Sequence, residues 1–397
     1  MAKKSEEKTA PSSKDRLAAF LKSDTVTKIH DKFGDSLLKK ASDERVQSWR
    51  RIPTGILPLD LALGGGFPGG VVNTLWGDKG SCKTSTIIRA MARGQKMCRD
   101  CYKYLPDYTL IESSACKCKG SVKEREVLCA FIDVEGTLDL EWCRLLGLDT
   151  DRMILSRPDY AELTMDILEA ILREGAVDLI AVDSLAFMTP QKEIEQSTAK
   201  DLMGTQSRVL AKGIRKLTAA LNNVGLTYGH ERRPTIFFTN QIRMQIGVMF
   251  GNPETQAGGK SPGYSAVTEV KTRPGKYKID DVTGFPVSAE MHFRVDKNKS
   301  SFNKVEGEYT MVLSQTEHKK VGEIYDEPFL ISRGEIAGLI TREKAVWHCL
   351  DKKFGKRDDL LQALLTDKFF KEQVWNALLP LALSNHASGP GASTETT

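Results

Sequence analysis

The sequence predicts an α/β fold with a mostly parallel central sheet, and three observations carry that reading. Apolar runs at 71–76, 127–134, 179–182 and 235–239 have the length and unbroken hydrophobicity of strands buried on both faces. Segments of helical periodicity such as 161–174 separate them, and strands alternating with helices imply parallel pairing. The run 71–76 also leads through a glycine-containing loop directly into a helical pattern, an order that turns backbone amides toward an anion.

Taken in order, residues 1–16 are polar and of mixed charge and read as a flexible tail. Residues 17–50 place Leu17, Phe20, Leu21, Ile29, Phe33 and Leu37 at roughly helical spacing, which predicts a small N-terminal helical unit. Near Ile52 the texture changes to turns rich in Gly and Pro, and the main domain is expected over 51–335. Beyond Arg273 the pattern alternates as in strands at 291–295 and 309–313. A small C-terminal α/β unit is expected over 336–384, with a helical stretch at 358–383 carrying Leu361, Leu364, Leu365, Val374, Trp375 and Leu378. Residues 385–397 read as a disordered tail, and no internal repeat is apparent.

Composition narrows the class. Across 397 residues, 57 Lys and Arg against 52 Asp and Glu leave a net charge of +5, too mild to identify a partner by itself. No apolar run reaches the ~18 residues of a spanning helix, and no secretory pattern follows Met1, so a soluble cytoplasmic protein without membrane association is expected. Eight cysteines in such a chain argue against a disulfide framework.

The loop reads Gly77-Asp78-Lys79-Gly80-Ser81-Cys82-Lys83-Thr84-Ser85. A Gly-rich loop before a helix cradles a triphosphate with its backbone N–H groups. Lys83 would reach the β- and γ-phosphates, and the Thr84 hydroxyl would ligate Mg²⁺. Cys82 stands where this pattern has its second glycine. Two further strands end in carboxylates: Asp183 is placed to hold Mg²⁺ from outside its direct ligands, and Glu135 to orient and deprotonate an attacking water. Ligands of open parallel sheets bind beyond the carboxyl ends of the strands, so these groups are expected to meet.

From Asn240 through Gln241, Arg243, Ile246, Gly247 and Phe250 to Glu254 the sequence closely resembles the second DNA-binding loop of RecA recombinases. The resemblance extends over roughly 50–345 and implies a RecA-type P-loop ATPase core. It implies roles for Glu135 as catalytic glutamate, Gln241 as γ-phosphate sensor, and Asp139 and Trp142 at the adenine. Lys297 and Lys299 would be a lysine pair reaching the neighbouring subunit's ATP. UvsX-type phage recombinases are similar and tolerate a bulky residue at the position of Cys82. The resemblance further implies single-stranded DNA and homologous duplex DNA as partners, self-assembly into a helical filament through the N-terminal unit, and a single-strand-binding protein or loader. The setting would be a bacterial or phage-infected cell. A first DNA loop would span 195–204 with Met203 and Gly204, and a second 241–259 with Ile246, Phe250, Gly258 and Gly259. Between them, 207–221 puts Leu210, Ile214, Leu217 and Leu221 on one helical face and Arg208, Lys212 and Arg215 on the other, a row suited to phosphates. A ring-shaped hexameric helicase and a weakly hydrolysing regulatory paralogue are the rival readings.

Cys98, Cys101, Cys116 and Cys118 fall within 95–125, where the family has only a short connection. That segment holds seven Lys and Arg and little apolar mass, so it cannot bury a core of its own. Four thiolates in two close pairs can complete a tetrahedral Zn²⁺ site that supplies the missing folding energy. A redox pair or a fortuitous grouping of cysteines is the alternative. Cys129, Cys143 and Cys349 lie in core-like segments and read as buried free thiols.

Overall fold

The computed structural model describes residues 12–33, 38, 49–196, 204–228, 232–244, 253–259 and 261–387. The chain divides into two units, Met1–Ser48 and Trp49–Thr397. The first carries α1 (Ser13–Leu21) and α2 (Asp24–Phe33). Residues 13–16, expected in a tail, are helical. Ser12 and Asp15 form a reciprocal capping box that satisfies two backbone donors and starts the helix there.

The second unit opens with β1 (Arg51–Ile52), α3 (Leu57–Leu63) and β2 (Phe67–Pro68), which lead into β3 (Val72–Gly77) and α4 (Lys83–Gly94). Then come β4 (Cys129–Asp133), α5 (Leu140–Leu145), β5 (Met153–Ser156), α6 (Ala161–Glu174), β6 (Leu179–Asp183) and α7 (Gln191–Glu195). Next are α8 (Thr205–Tyr228), β7 (Thr235–Met244), β8 (Glu254–Gln256), α9 (Ser261–Ser265), β9 (Thr268–Ile279), β10 (Pro286–Asn298) and β11 (Glu306–Val312). The main sheet runs β11-β10-β9-β3-β7-β6-β4-β5, with β8 paired to β7. Strands β9, β3, β7, β6, β4 and β5 are parallel, while β10, β11 and β8 join antiparallel.

The apolar runs are strands because both faces of the sheet are covered. Leu179 and Ala181 face one core with α4, and Ile180 and Val182 face the other with α6 and α8. Phe131 and Phe237 on one side and Phe238 on the other are fully enclosed, each worth about 1.5–3 kcal/mol of transfer from water. On α8 the expected division holds: Leu210, Ile214, Leu217 and Leu221 are buried, and Arg208, Lys212 and Arg215 are exposed.

The C-terminal part comprises α10 (Glu327–Ile336), a three-stranded sheet of β12 (Ile340–Glu343), β13 (Val346–Cys349) and β14 (Lys352–Phe354), α11 (Arg357–Thr366) and α12 (Lys368–Ala387). The helical stretch expected at 358–383 is two helices, because the Asp367 carboxylate accepts from the Phe370 amide and starts α12 anew. Residues 385–387, expected in the tail, complete α12, and 388–397 lie outside the described residues. Leu330 and Ile331 of α10 pack with Phe370, Val374 and Leu378 and with Leu57 and Leu61 of α3. Among the described residues no helix is long and apolar enough to cross a membrane.

Candidate functional site

Strand β3 delivers the Gly-rich loop at the carboxyl edge of the sheet, and α4 begins at Lys83. The first N–H groups of a helix have no intrahelical acceptor and carry the positive end of its dipole, so this 12-residue helix presents an anion seat. Gly77 is required by contact: a Cβ there would sit 2.0 Å from the Thr272 carbonyl oxygen of β9. Gly77→Ala must therefore pry β9 from β3. It is expected to cost about 1–3 kcal/mol, measured as a lower urea midpoint. Gly80 has φ +75° and open space where a side chain would be, leaving room for a ligand against the backbone. Cys82 adopts φ +55°, the left-handed conformation glycine takes most easily, and its thiol leans on the core below the loop. Burial pushes that thiol up to about 11, against the charge of Lys83, so it stays protonated.

The Lys83 ammonium is held over the loop by the carbonyls of Asp78 at 2.6 Å and Gly77 at 3.2 Å. Ser81 Oγ donates to the Asp78 carbonyl at 2.7 Å. Burial lowers the Lys83 pKa, while Asp183, Glu135 and Asp78 oppose the change. Thr84 Oγ1 donates to Asp183 Oδ2 at 2.5 Å, and Thr239 Oγ1 donates to Asp183 Oδ1. A hydroxyl and a carboxylate so joined are hard oxygen donors, the set Mg²⁺ takes beside a phosphate. Glu135 accepts from Ser184 Oγ at 2.7 Å. Burial raises its carboxyl above the ordinary value of 4.5. Ser184 and Lys83 resist this, and Asp183 and Asp133 add to it.

The expected groups thus meet at one edge, and three residues the sequence did not single out hold them there. Ser184 and Thr239 are two of these. The third, Asp133, accepts from the amides of Thr137 and Leu138 and from Arg157 Nε at 2.9 Å, fixing the turn that carries Glu135 and Asp139. Their signal was available only in that each adjoins a strand-end carboxylate or lies on the neighbouring strand. Asp139 caps α5, accepting from the Glu141 and Trp142 amides, and the Trp142 indole donates to Ser85 Oγ at 3.0 Å. The indole is thereby tied to α4 one residue beyond Thr84.

Gln241 lies on β7 directly beside Gly77, and the strand continues through exposed Arg243 to Met244. The chain returns as β8 and reaches Gly258 and Gly259, both at φ near +80°. A Cβ on Gly258 would sit 2.4 Å from Leu210 Cδ1, so this return packs closely on the apolar face of α8. Gly204 is exposed at the start of α8. Met203, Ile246, Gly247 and Phe250 lie outside the described residues.

Lys297 and Lys299 are not brought to this chain's own phosphate loop. Lys297 pairs with Glu269 and Asn298 with Thr268, near the amino-terminal end of β3, and the Lys297 ammonium donates to the Gly263 carbonyl at 2.6 Å. Lys299 is exposed.

At that amino edge sits the cysteine segment. All four Sγ atoms of Cys98, Cys101, Cys116 and Cys118 lie within 4.8 Å of one another, with Cys101 and Cys116 3.5 Å apart. Thiolates around tetrahedral Zn²⁺ at ~2.3 Å are about 3.8 Å apart, so the four fit one ion with little movement. Cys116 Sγ accepts from Arg125 Nη1 at 2.9 Å and from the Cys118 amide N–H at 3.4 Å. Burial opposes ionisation of Cys116, but the Cys118 amide and the neighbouring thiols outweigh it and bring Cys116 down to about 7. Burial raises Cys101 and the bond to Cys116 raises Cys118, so one thiol of the cluster is readied as a thiolate. The segment is bolted to the core by Arg99 on Asp178 at 3.0 Å and Arg232 on Asp100 at 3.1 Å. It meets α12 where Thr109 Oγ1 donates to Glu372 at 2.8 Å. Cys129, Cys143 and Cys349 are buried free thiols.

A sequence model of the RecA N-terminal domain matches residues 21–110 and 112–315. Protein RecA of Francisella philomiragia subsp. philomiragia is 31% identical over 363 residues, covering 90% of this chain and 88% of that protein. Protein RecA of Acinetobacter baylyi is 34% identical over 278 residues, 69% and 68% of the two chains. Protein RecA of Francisella tularensis subsp. tularensis is 30% identical over 367 residues, 91% and 89% of the two.

Proposed function

The chain belongs to the RecA family of recombinases, and from that premise we propose how its own residues work. The reading is a DNA-dependent ATPase that assembles as a helical filament on single-stranded DNA, pairs it with homologous duplex and exchanges strands. One observation carries it. Strand β7 sets Gln241 beside Gly77 of the phosphate loop and then runs on as the rising limb of the DNA loop. A change at the phosphate is thus passed along a rigid element to the DNA.

In this reading Lys83 binds the β- and γ-phosphates, the 77–85 backbone cradles them, and Glu135, fixed by Ser184, takes the proton of the attacking water. Thr84, with Asp183 behind it, would hold Mg²⁺, which supplies charge neutralisation at the phosphate oxygens. Trp142 and Asp139 flank the base. Lys297 and Lys299 serve a neighbouring copy's nucleotide, which suits their distance from their own. The α8 row of Arg208 and Arg215, with Arg243, Gly204 and the 258–259 return, lies along single-stranded DNA. The loop residues Met203, Ile246, Gly247 and Phe250 belong to the same contact. Cys98, Cys101, Cys116 and Cys118 hold structural Zn²⁺. The parts divide as an oligomerisation unit at 17–50, an ATPase core at 51–335 and a C-terminal domain at 336–384. The setting is the cytoplasm of a bacterial or phage-infected cell, where a single-strand-binding protein or loader assists.

Electron microscopy with ATP and single-stranded DNA tests this reading, with helical filaments expected. Closed rings would favour a hexameric motor, and filaments without any DNA-stimulated hydrolysis would favour a regulatory paralogue.

A further inference from the structure

Strands β9 and β10 do not stop where the sheet stops. Thr272 pairs with Gly77, the last residue of β3, yet β9 continues to Ile279, paired only with β10. Seven further residues at ~3.3 Å each carry this two-stranded ribbon about 23 Å past the end of β3 at the carboxyl edge. That is the edge holding the phosphate loop and the rising limb of the second DNA loop.

The end of the ribbon is apolar and open to solvent. Val282 is 93% exposed, Phe285 70%, Tyr277 50% and Ile279 47%. Its turn is nevertheless rigid. The Asp280 carboxylate accepts from the amides of Val282 at 3.1 Å and Thr283 at 2.7 Å and from the Thr283 hydroxyl at 2.8 Å. The Asp280 amide in turn donates to the Phe285 carbonyl at 2.9 Å. Exposed Lys276 and Lys278 alternate with Tyr277 and Ile279 along β9, and among the described residues neither lysine has an ion-pair partner. At its base the ribbon is tied by charged side chains to β8 and to the phosphate loop. Arg273 pairs with Glu254 of β8 at 2.7 Å and approaches Asp78 of the phosphate loop at 4.0 Å, and Lys271 also pairs with Glu254.

The projecting β-ribbon carries Lys276 and Lys278 on its stem, Asp280 and Asp281 at its turn and a hydrogen-bonded apolar end. Such a ribbon has the chemistry that enters duplex DNA, with cations on the phosphates and an apolar side chain between base pairs. We propose that the β9–β10 ribbon is a wedge for the incoming duplex. Val282 and Phe285 unstack its base pairs beside the bound single strand, and Lys276 and Lys278 hold its backbone. The inference rests on the recombinase reading. The apolar tip alone would suit a second copy of this chain equally well. The flanking unpaired lysines and the position on the DNA-loop edge favour DNA.

The test uses the full-length protein carrying Val282→Ser with Phe285→Ser, and separately Lys276→Glu with Lys278→Glu. Fluorescence of a 2-aminopurine duplex reports unstacking during pairing with a homologous single-stranded filament. The serine variant should pair roughly 5- to 100-fold more slowly, the span of a lost base-stacking contact, with filaments and single-strand-stimulated ATP hydrolysis unchanged. The glutamate variant should capture duplex more weakly and with a shallower salt dependence. Pairing by the serine variant at the wild-type rate would overturn the proposal. So would loss of its filaments on single-stranded DNA, which would make the tip a contact between copies. If the wild type fails to pair strands, the recombinase reading itself has failed, and the wedge falls with it.

Discussion

Glu135→Gln should bind ATP and assemble on single-stranded DNA yet hydrolyse ATP about 10²–10⁴-fold more slowly, the usual contribution of a positioned general base. The amide keeps the shape of the carboxylate and can still meet Ser184 Oγ, now 2.7 Å from Glu135, so the fold should survive. Only the capacity to accept the water's proton is removed. A steady-state phosphate-release assay beside a nucleotide-binding titration separates the two effects, and near wild-type turnover would remove Glu135 from the role of base. The wild-type pH profile supplies a second check with a definite sign. Burial raises the Glu135 pKa, and a base works only when ionised. Activity is therefore lost as pH falls through that raised value, and the acid limb of kcat/KM should lie above the ordinary glutamate value of 4.5. The limb should vanish in Glu135→Gln.

Replacing Cys98 and Cys116 by Ser should abolish zinc content and unfold the inserted segment while leaving the ATP site in place. Ion binding in small structural zinc modules is worth on the order of 10 kcal/mol, and nothing else in this segment approaches that. Its own apolar cluster is Cys98, Leu105 and Cys116, too small to stand without the metal, although Met97 and Tyr102 are buried against the main core. Hydrogen exchange should become fast across 98–125. The loss should extend to the start of α12, where Thr109 and Leu110 hold Glu372. The segment docks at the starts of β6 and β7 through Asp178 and Arg232, at the far edge from the phosphate loop, so single-strand-stimulated hydrolysis should change little. Unchanged metal content by atomic emission in the double variant would sink the zinc assignment.

What was legible in the sequence follows from how local the cause is. The helix at Ala161–Glu174 and the strand ending at Asp183 were visible because burial on both sheet faces, or on one helix stripe, writes itself as periodicity. The strand expected over 127–134 was found too, but it stops at Asp133 and leaves Glu135 in the turn that follows. The phosphate loop was visible because its chemistry is contiguous. The brackets around it were not. Thr239 reaches Asp183 from a neighbouring strand, and Asp133 ties Arg157 to a turn 24 residues earlier, contacts that no spacing announces. Cys82 was seen as a departure from glycine, but its left-handed backbone is a property of the folded loop. The overhang of β9 was hidden for another reason. Tyr277 and Ile279 alternate with lysines as in any half-buried strand, and only the missing neighbour reveals that they face water.

The distance between Lys297 and the phosphate loop of its own chain has a bearing on assemblies of finite length. On the proposed reading each nucleotide is completed by the next copy, so the copy at one terminus has nobody to complete it. That terminal ATP would outlast the others, and the filament would carry at one end a slow chemical clock that its interior lacks. Growth and loss at the two ends would then differ in rate even though every copy has the same sequence.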